Sequence, residues 1–177
     1  RQAAQKLLAQ AMKEVSDDVC EVLMNNETDL ETPAEVPCAY FYNLPPFKDF
    51  SAINAAFVAF LYYDLANSAY ANKGGCKTPV NIVLDEFANI GNIPTIDALV
   101  ATSCKKKIAT MISIQSLGQM IQRYPDIYLA ILGNCPIRVC LGRVDVDTAK
   151  YFSGYMGTSP VLVGKKKTVD RPVMTVD

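Results

Sequence analysis

Apolar strands that alternate with helices predict an α/β chain built on a largely parallel sheet with helices on both faces. The strands are apolar almost end to end, which suits a sheet covered on both sides. The composition agrees. Half of the 177 residues are hydrophobic and a fifth are charged, enough apolar surface for a sizeable core and too little charge for a disordered chain.

Residues 1–15 read as a helix, with Ala3, Leu7, Leu8, Ala11, Met12 and Val15 at helical spacing. Ser16 can cap a short second helix over 17–25, with Asp17 and Asp18 in its first turn. The polar, Pro-containing stretch 26–35 is the best internal boundary, so the expected organisation is a helical segment 1–35, an α/β body 36–160 and a tail 161–177. The aromatic run 37–44 predicts a strand closed by Pro45-Pro46, with Tyr40, Phe41 and Tyr42 expected in the core. Asp49 or Ser51 then caps a long helix to about residue 72. Ile53, Phe57, Phe60, Leu61 and Leu65 form its apolar face, and Lys73-Gly74-Gly75 ends it.

A strand over 80–87 follows, then a helix over 95–104, a strand over 108–114 and a helix opening at Ser116. Pro125 starts a short helix that ends at Gly133-Asn134. A fourth strand is predicted over 136–143, and Asp145 begins a helix stopped near Gly154 and Gly157. The remainder, 158–177, reads as irregular, with Lys165 to Lys167 a solvated run or a DNA-facing one.

The net charge of −1 argues against coating nucleic acid by bulk charge, although a local basic patch stays open. Histidine is absent, which removes Ser-His-Asp triads, Cys-His nucleophiles and His-ligated metals. The six cysteines form no CxxC pair and are expected as small buried hydrophobes with free thiols. The longest apolar stretch, 53–63, falls short of the ~20 residues that cross a bilayer. The chain begins at Arg1 without a signal peptide and reads as a piece of a longer protein, with any membrane anchor outside it.

In a parallel sheet, ligands sit beyond the carboxyl ends of the strands. The residues there are Asp85-Glu86, Gln115 and Arg143. Apolar Ile82-Val83-Leu84 followed by Asp85-Glu86 forms a Walker B pattern. An Asp at a strand end can hold Mg²⁺ through a water, and the adjacent Glu can orient or deprotonate the water that attacks a γ-phosphate. The bland alternative is a buried strand that ends in a solvated acidic turn. No Gly-Lys-Ser/Thr loop accompanies the pattern, so this chain is not expected to cradle phosphates or turn over ATP alone.

The run DEFANIGNIP (85–94), with SIQSLGQM (113–120), ILGNCPIRVCLGRVD (131–145), DTAKYFSGYMG (147–157) and RPVMTVD (171–177), resembles the TraG/TraD-like coupling proteins of conjugative type IV secretion. The resemblance implies a RecA-like nucleotide-binding domain, here its C-terminal half over 36–160, with 1–35 the end of an inserted all-α domain. It implies ATP and Mg²⁺ as ligands and a hexamer at the cytoplasmic face of the bacterial inner membrane. DNA, a relaxase and the secretion channel would be its partners. Residue by residue, Asp85 matches the Mg²⁺-associated Asp, Glu86 the catalytic Glu and Gln115 the residue that senses the γ-phosphate. Where relatives carry arginines, Cys104 and Lys106 stand within Ser103 to Lys107, and Lys lacks the planar fork of an arginine finger. Lys105, Lys106 and Arg143 are the candidate trans-acting or DNA-contacting residues, with Arg123 and Arg138 as further cations. A DNA translocase of the FtsK/HerA type and a non-catalytic scaffold with a RecA-like sheet are the competing readings.

Overall fold

The computed structural model describes residues 32–43, 51–71, 73–163 and 167–173. The expected helices over 1–15 and 17–25, and the Lys165-Lys166 pair, lie outside the described residues.

Helix α1 (Thr32–Glu35) is a single turn. It packs on α2 (Ser51–Ala71), with Ala34 fully buried, so the end of the predicted boundary stretch joins the core. Strand β1 (Val80–Leu84) pairs in parallel with β2 (Ile108–Ile112), Val80 opposite Ile108 and Leu84 opposite Ile112. Between them lie α3 (Phe87–Ile90), α4 (Ile96–Ser103) and a 3-10 turn, Cys104–Lys106. After β2 come α5 (Leu117–Arg123), α6 (Tyr128–Gly133) and α7 (Val146–Met156). Strands β3 (Thr158–Val163) and β4 (Lys167–Pro172) form an antiparallel hairpin.

The architecture is thus mixed α/β, with a two-stranded parallel sheet, β1–β2, and a two-stranded antiparallel one, β3–β4. Val80, Ile82 and Leu84 alternate inward along β1 and meet Ile108 in one cluster. That cluster gathers Val58, Tyr62 and Leu65 of α2, Phe87 of α3, Leu99 of α4, Met120 of α5 and Ile131 of α6. The opposite face of the sheet is bare among the described residues: Val83 and Met111, directly paired, are 61% and 62% exposed. The expectation of helices on both faces is corrected accordingly.

Two predicted strands are corrected too. Neither 37–43 nor 136–143 is a strand among the described residues. Extended conformation is local, but a strand needs a neighbour to take its backbone hydrogen bonds. Phe41 is 96% exposed, and Tyr42 packs its ring against Phe57 of α2, so the aromatic run is a surface segment and not core. The tail expected to be irregular is the β3–β4 hairpin instead. Of the described cysteines, all are free and only Cys76 is buried.

Helix α2 buries Ile53 and Leu65 of the predicted stripe and adds residues that the prediction left out. Ala55, Ala56, Val58, Ala59 and Tyr62 are buried with them, while Phe57, Phe60 and Leu61 are partly buried. The helix is apolar nearly all round, so spacing alone could not choose the face.

Helix α7 is tied to the rest through Thr148. Asp145 caps it, its Oδ1 accepting from the amides of Asp147 and Thr148. The buried Thr148 hydroxyl donates to Asp145 Oδ2 at 2.6 Å and accepts the Leu117 amide of α5 at 2.9 Å. These contacts, the Thr148 hydroxyl first, hold the Asp145 carboxyl below its ordinary range. Thr148→Val orphans the buried Leu117 amide and should cost about 1–3 kcal/mol in a thermal melt. A depressed carboxyl stabilises above its unfolded value of roughly 4, and that contribution fades as pH falls through the lower folded value. The acid side of the stability profile should therefore be flatter in the variant than in wild type.

Candidate functional site

The register that pairs Leu84 with Ile112 brings Asp85 beside Ser113 one step further on. Ser113 ties the strand ends together. Its amide donates to Leu84 O and its carbonyl accepts from the Phe87 amide, both at 3.0 Å. Its hydroxyl donates to Asp85 Oδ1 at 2.5 Å and accepts from the Glu86 amide at 3.2 Å.

Glu86 turns the chain out of β1. Its φ of 50° and ψ of 43° are left-handed, which costs a non-glycine residue about 1–2 kcal/mol. Ser113 on its amide and the Asn89 amide on its carbonyl, at 2.7 Å, hold that turn. The turn directs the Glu86 side chain toward the end of β2. There Gln115 Nε2 donates to both carboxylate oxygens, at 2.9 Å to Oε1 and 3.0 Å to Oε2. Asn89 Nδ2 donates to Oε2 at 3.0 Å, and Gln119 Nε2 donates to Gln115 Oε1 at 3.3 Å.

The structure therefore brings Asp85, Glu86 and Gln115 to one edge of the sheet. Asp85 joins the other two through Ser113. Sequence reading missed Ser113, Asn89 and Gln119, and each had a signal. Ser113 precedes Gln115 by two and shares its side of the chain in an extended segment. Asn89 follows Glu86 by three, and Gln119 follows Gln115 by four, both helical neighbours.

The candidate cations are not brought to this edge. Lys105 and Lys106 lie in the 3-10 turn before β2, a strand length away, on the order of 17 Å at ~3.3 Å per residue. Lys106 Nζ sits 4.4 Å from the centre of the Tyr70 ring, a cation–π contact at the far end of α2. Arg143 is exposed in the loop before α7. Arg138 has a structural post: it donates to Tyr151 Oη and to the Leu132 and Cys135 carbonyls, and lies over the Tyr155 ring. Arg123 reaches the helix that carries Asn89, its Nε donating to Ala88 O at 3.0 Å.

The glycine of DEFANIG has a packing reason. Gly91 ends α3 at φ 122°, and its carbonyl accepts from the buried Tyr124 hydroxyl at 2.9 Å. That hydroxyl also accepts the Ile93 amide at 3.1 Å, and its ring stacks on Phe87 at 5.1 Å. Burial pushes the Tyr124 phenol up to about 12, so it stays a neutral donor. Phe87, Tyr124 and Gly91 thus fix the backbone from which Glu86 and Asn89 project.

Among the described residues no three His, Cys, Asp or Glu side chains cluster as a metal cage. A lone strand-end carboxylate still fits Mg²⁺, which keeps several waters and takes other oxygens from phosphates. Among the described residues no helix is long and apolar enough to cross a membrane.

A family model described as the TraM recognition site of TraD and TraG matches residues 79–173, more than half of the chain. No curated relative and no solved structure matches it.

Proposed function

The chain belongs to the TraG/TraD family of conjugative coupling proteins, and from that premise we propose that its strand-end cluster is the hydrolytic half of an ATPase site that drives DNA transfer. The observation that carries this reading is the Gln115 amide on the Glu86 carboxylate, at the ends of adjacent parallel strands and beside Asp85. An acid next to an amide can grip one water from two sides, the carboxylate accepting its proton and the amide oxygen or N–H fixing its direction.

In this reading Glu86 takes a proton from the attacking water. The water oxygen bonds to the γ-phosphorus, and the bond from phosphorus to the ADP oxygen breaks. Asp85 would be the residue that holds Mg²⁺, and the ion would supply positive charge toward the phosphates. Ser113 keeps Asp85 aimed, and Gln115 is poised between Glu86 and the γ-phosphate. The loop that cradles the phosphates comes from sequence outside these 177 residues, since none of them forms a Gly-Lys-Ser/Thr loop. The bare face at Val83 and Met111 and the exposed Ile137, Val139 and Leu141 offer apolar surface for the rest of a RecA-like domain.

The partners follow from the family. The matched region is described as a TraM recognition site, so a TraM-like relaxosome component is the first partner to test, with relaxase-bound DNA and the secretion channel beyond it. A hexamer at the cytoplasmic face of the inner membrane completes the reading.

The test is nucleotide binding and turnover in the full-length protein. Asp85→Ala should weaken Mg²⁺-ATP binding itself. Gln115→Ala should leave binding nearly intact and slow turnover by about 10-fold or more, the low end for a group that acts in the transition state. Wild-type affinity and turnover in both variants would leave the acidic pair a solvated strand end.

A further inference from the structure

We propose that Asn89 is a positioning residue for Glu86, holding carboxylate oxygen Oε2 so that Oε1 is the oxygen that receives the proton; this rests on the ATPase reading above. The two oxygens are not equivalent. Oε2 accepts from both Gln115 and Asn89, whereas Oε1 accepts from Gln115. A carboxylate offers about four lone-pair positions, two on each oxygen. The Asn89 contact fills a second position on Oε2, whereas Oε1 keeps one position that no donor among the described residues fills.

The two donors sit on different elements. Gln115 follows β2, and the same amide that grips Glu86 is the one expected to turn toward a γ-phosphate. Among the described residues its own oxygen is held by Gln119 alone, at 3.3 Å, a long contact. Once Gln115 turns, the carboxylate would swing on the three torsions of its side chain unless a second donor stayed. Asn89 stays, because α3 is anchored. Its neighbours Phe87, Ala88 and Ile90 are buried, and its backbone amide is already bonded to Glu86 O at 2.7 Å. The Asn89 side chain itself is exposed, so it contributes to the carboxylate and not to the core. The donor is thus built into the same turn as the acid, three residues on, and moves with it.

The experiment uses the full-length protein, with Glu86→Gln as the reference. Asn89→Ala should lower kcat about 10-fold, since a carboxylate misplaced by ~1 Å can cost up to 10²-fold. KM, the Kd for a non-hydrolysable Mg²⁺-ATP analogue and the melting temperature should all hold within error. Asn89→Asp keeps the shape and loses the donor, so it should be at least as slow. Asn89→Gln restores a donor and should recover part of the rate. A kcat within twofold of wild type in both Asn89→Ala and Asn89→Asp overturns the proposal. So does a loss of rate that follows a lower melting temperature or weaker analogue binding, which marks a merely structural role. If Glu86→Gln hydrolyses ATP at the wild-type rate, the reading of the strand-end cluster as the hydrolytic site itself falls; if it is inactive while Asn89→Ala keeps the wild-type rate, only this inference does.

Discussion

Glu86→Gln in the full-length protein should bind nucleotide nearly as wild type does and turn it over about 10²-fold more slowly or worse, the range for losing a positioned base. Its amide keeps the size of the side chain and can still accept from Gln115 and Asn89 on one atom, so the turn after β1 should survive. What it loses is the charge and the proton-accepting oxygen. DNA transfer should fall with turnover, because an ATP-driven step cannot outrun its own cycle. Conjugation frequency measured beside ATPase rate makes the result decisive. If both persist at wild-type levels, Asp85 and Glu86 are only the polar end of a buried strand.

The site was legible in the sequence to the extent that register alone dictates it. Parallel neighbours that stop together must place their next residues at one edge, which is why Asp85, Glu86 and Gln115 group together from the sequence alone. The helix boundaries at Ser116 and Asp145 were equally readable, since both residues cap with their own side chains. What failed was pairing. Segments 37–43 and 136–143 have strand-like composition, but composition does not supply the neighbour that a ladder needs. The β3–β4 hairpin was missed for the opposite reason. Val161 and Val163, then Thr168 and Val169, flank Gly164 at hairpin spacing, but the three lysines that follow Gly164 read as a solvated tail. The amide contacts of Asn89 and Gln119 were hidden because a polar residue on a helical turn has many possible partners. The left-handed backbone at Glu86 chooses among them, and no residue type announces it.

Gly91→Ala should be among the most damaging single changes in the chain, although it adds one methyl group. At φ 122° and ψ −172° the backbone lies where only glycine sits without strain, and a residue with a Cβ there costs about 1–3 kcal/mol. The space is closed as well. A Cβ on Gly91 would lie 2.1 Å from the Ser51 carbonyl oxygen and 2.9 Å from its carbon, so backbone at the start of α2 must move. Overpacking of this kind adds typically ~1–3 kcal/mol. Together these amount to about 2–6 kcal/mol, a large share of the ~5–15 kcal/mol that holds a domain folded. For a chain of this size each kcal/mol is worth roughly 2–4 °C, so the melting temperature should drop by at least about 4 °C and by up to roughly 24 °C. Gly154 provides the contrast. It lies inside α7, and a methyl group there would meet nothing within 4 Å, so Gly154→Ala should stabilise by about 0.5–1 kcal/mol through helix propensity. The same chemical change at two glycines should thus move the melt in opposite directions. Because Gly91 O also receives the Tyr124 hydroxyl, a displaced Gly91 shifts the α3 turn that carries Asn89 and, through it, the Glu86 carboxylate. Turnover in the full-length protein should therefore fall even at temperatures where Gly91→Ala remains folded. A melt within a degree of wild type would mean that the loop after α3 does not approach Ser51 as closely as the backbone requires.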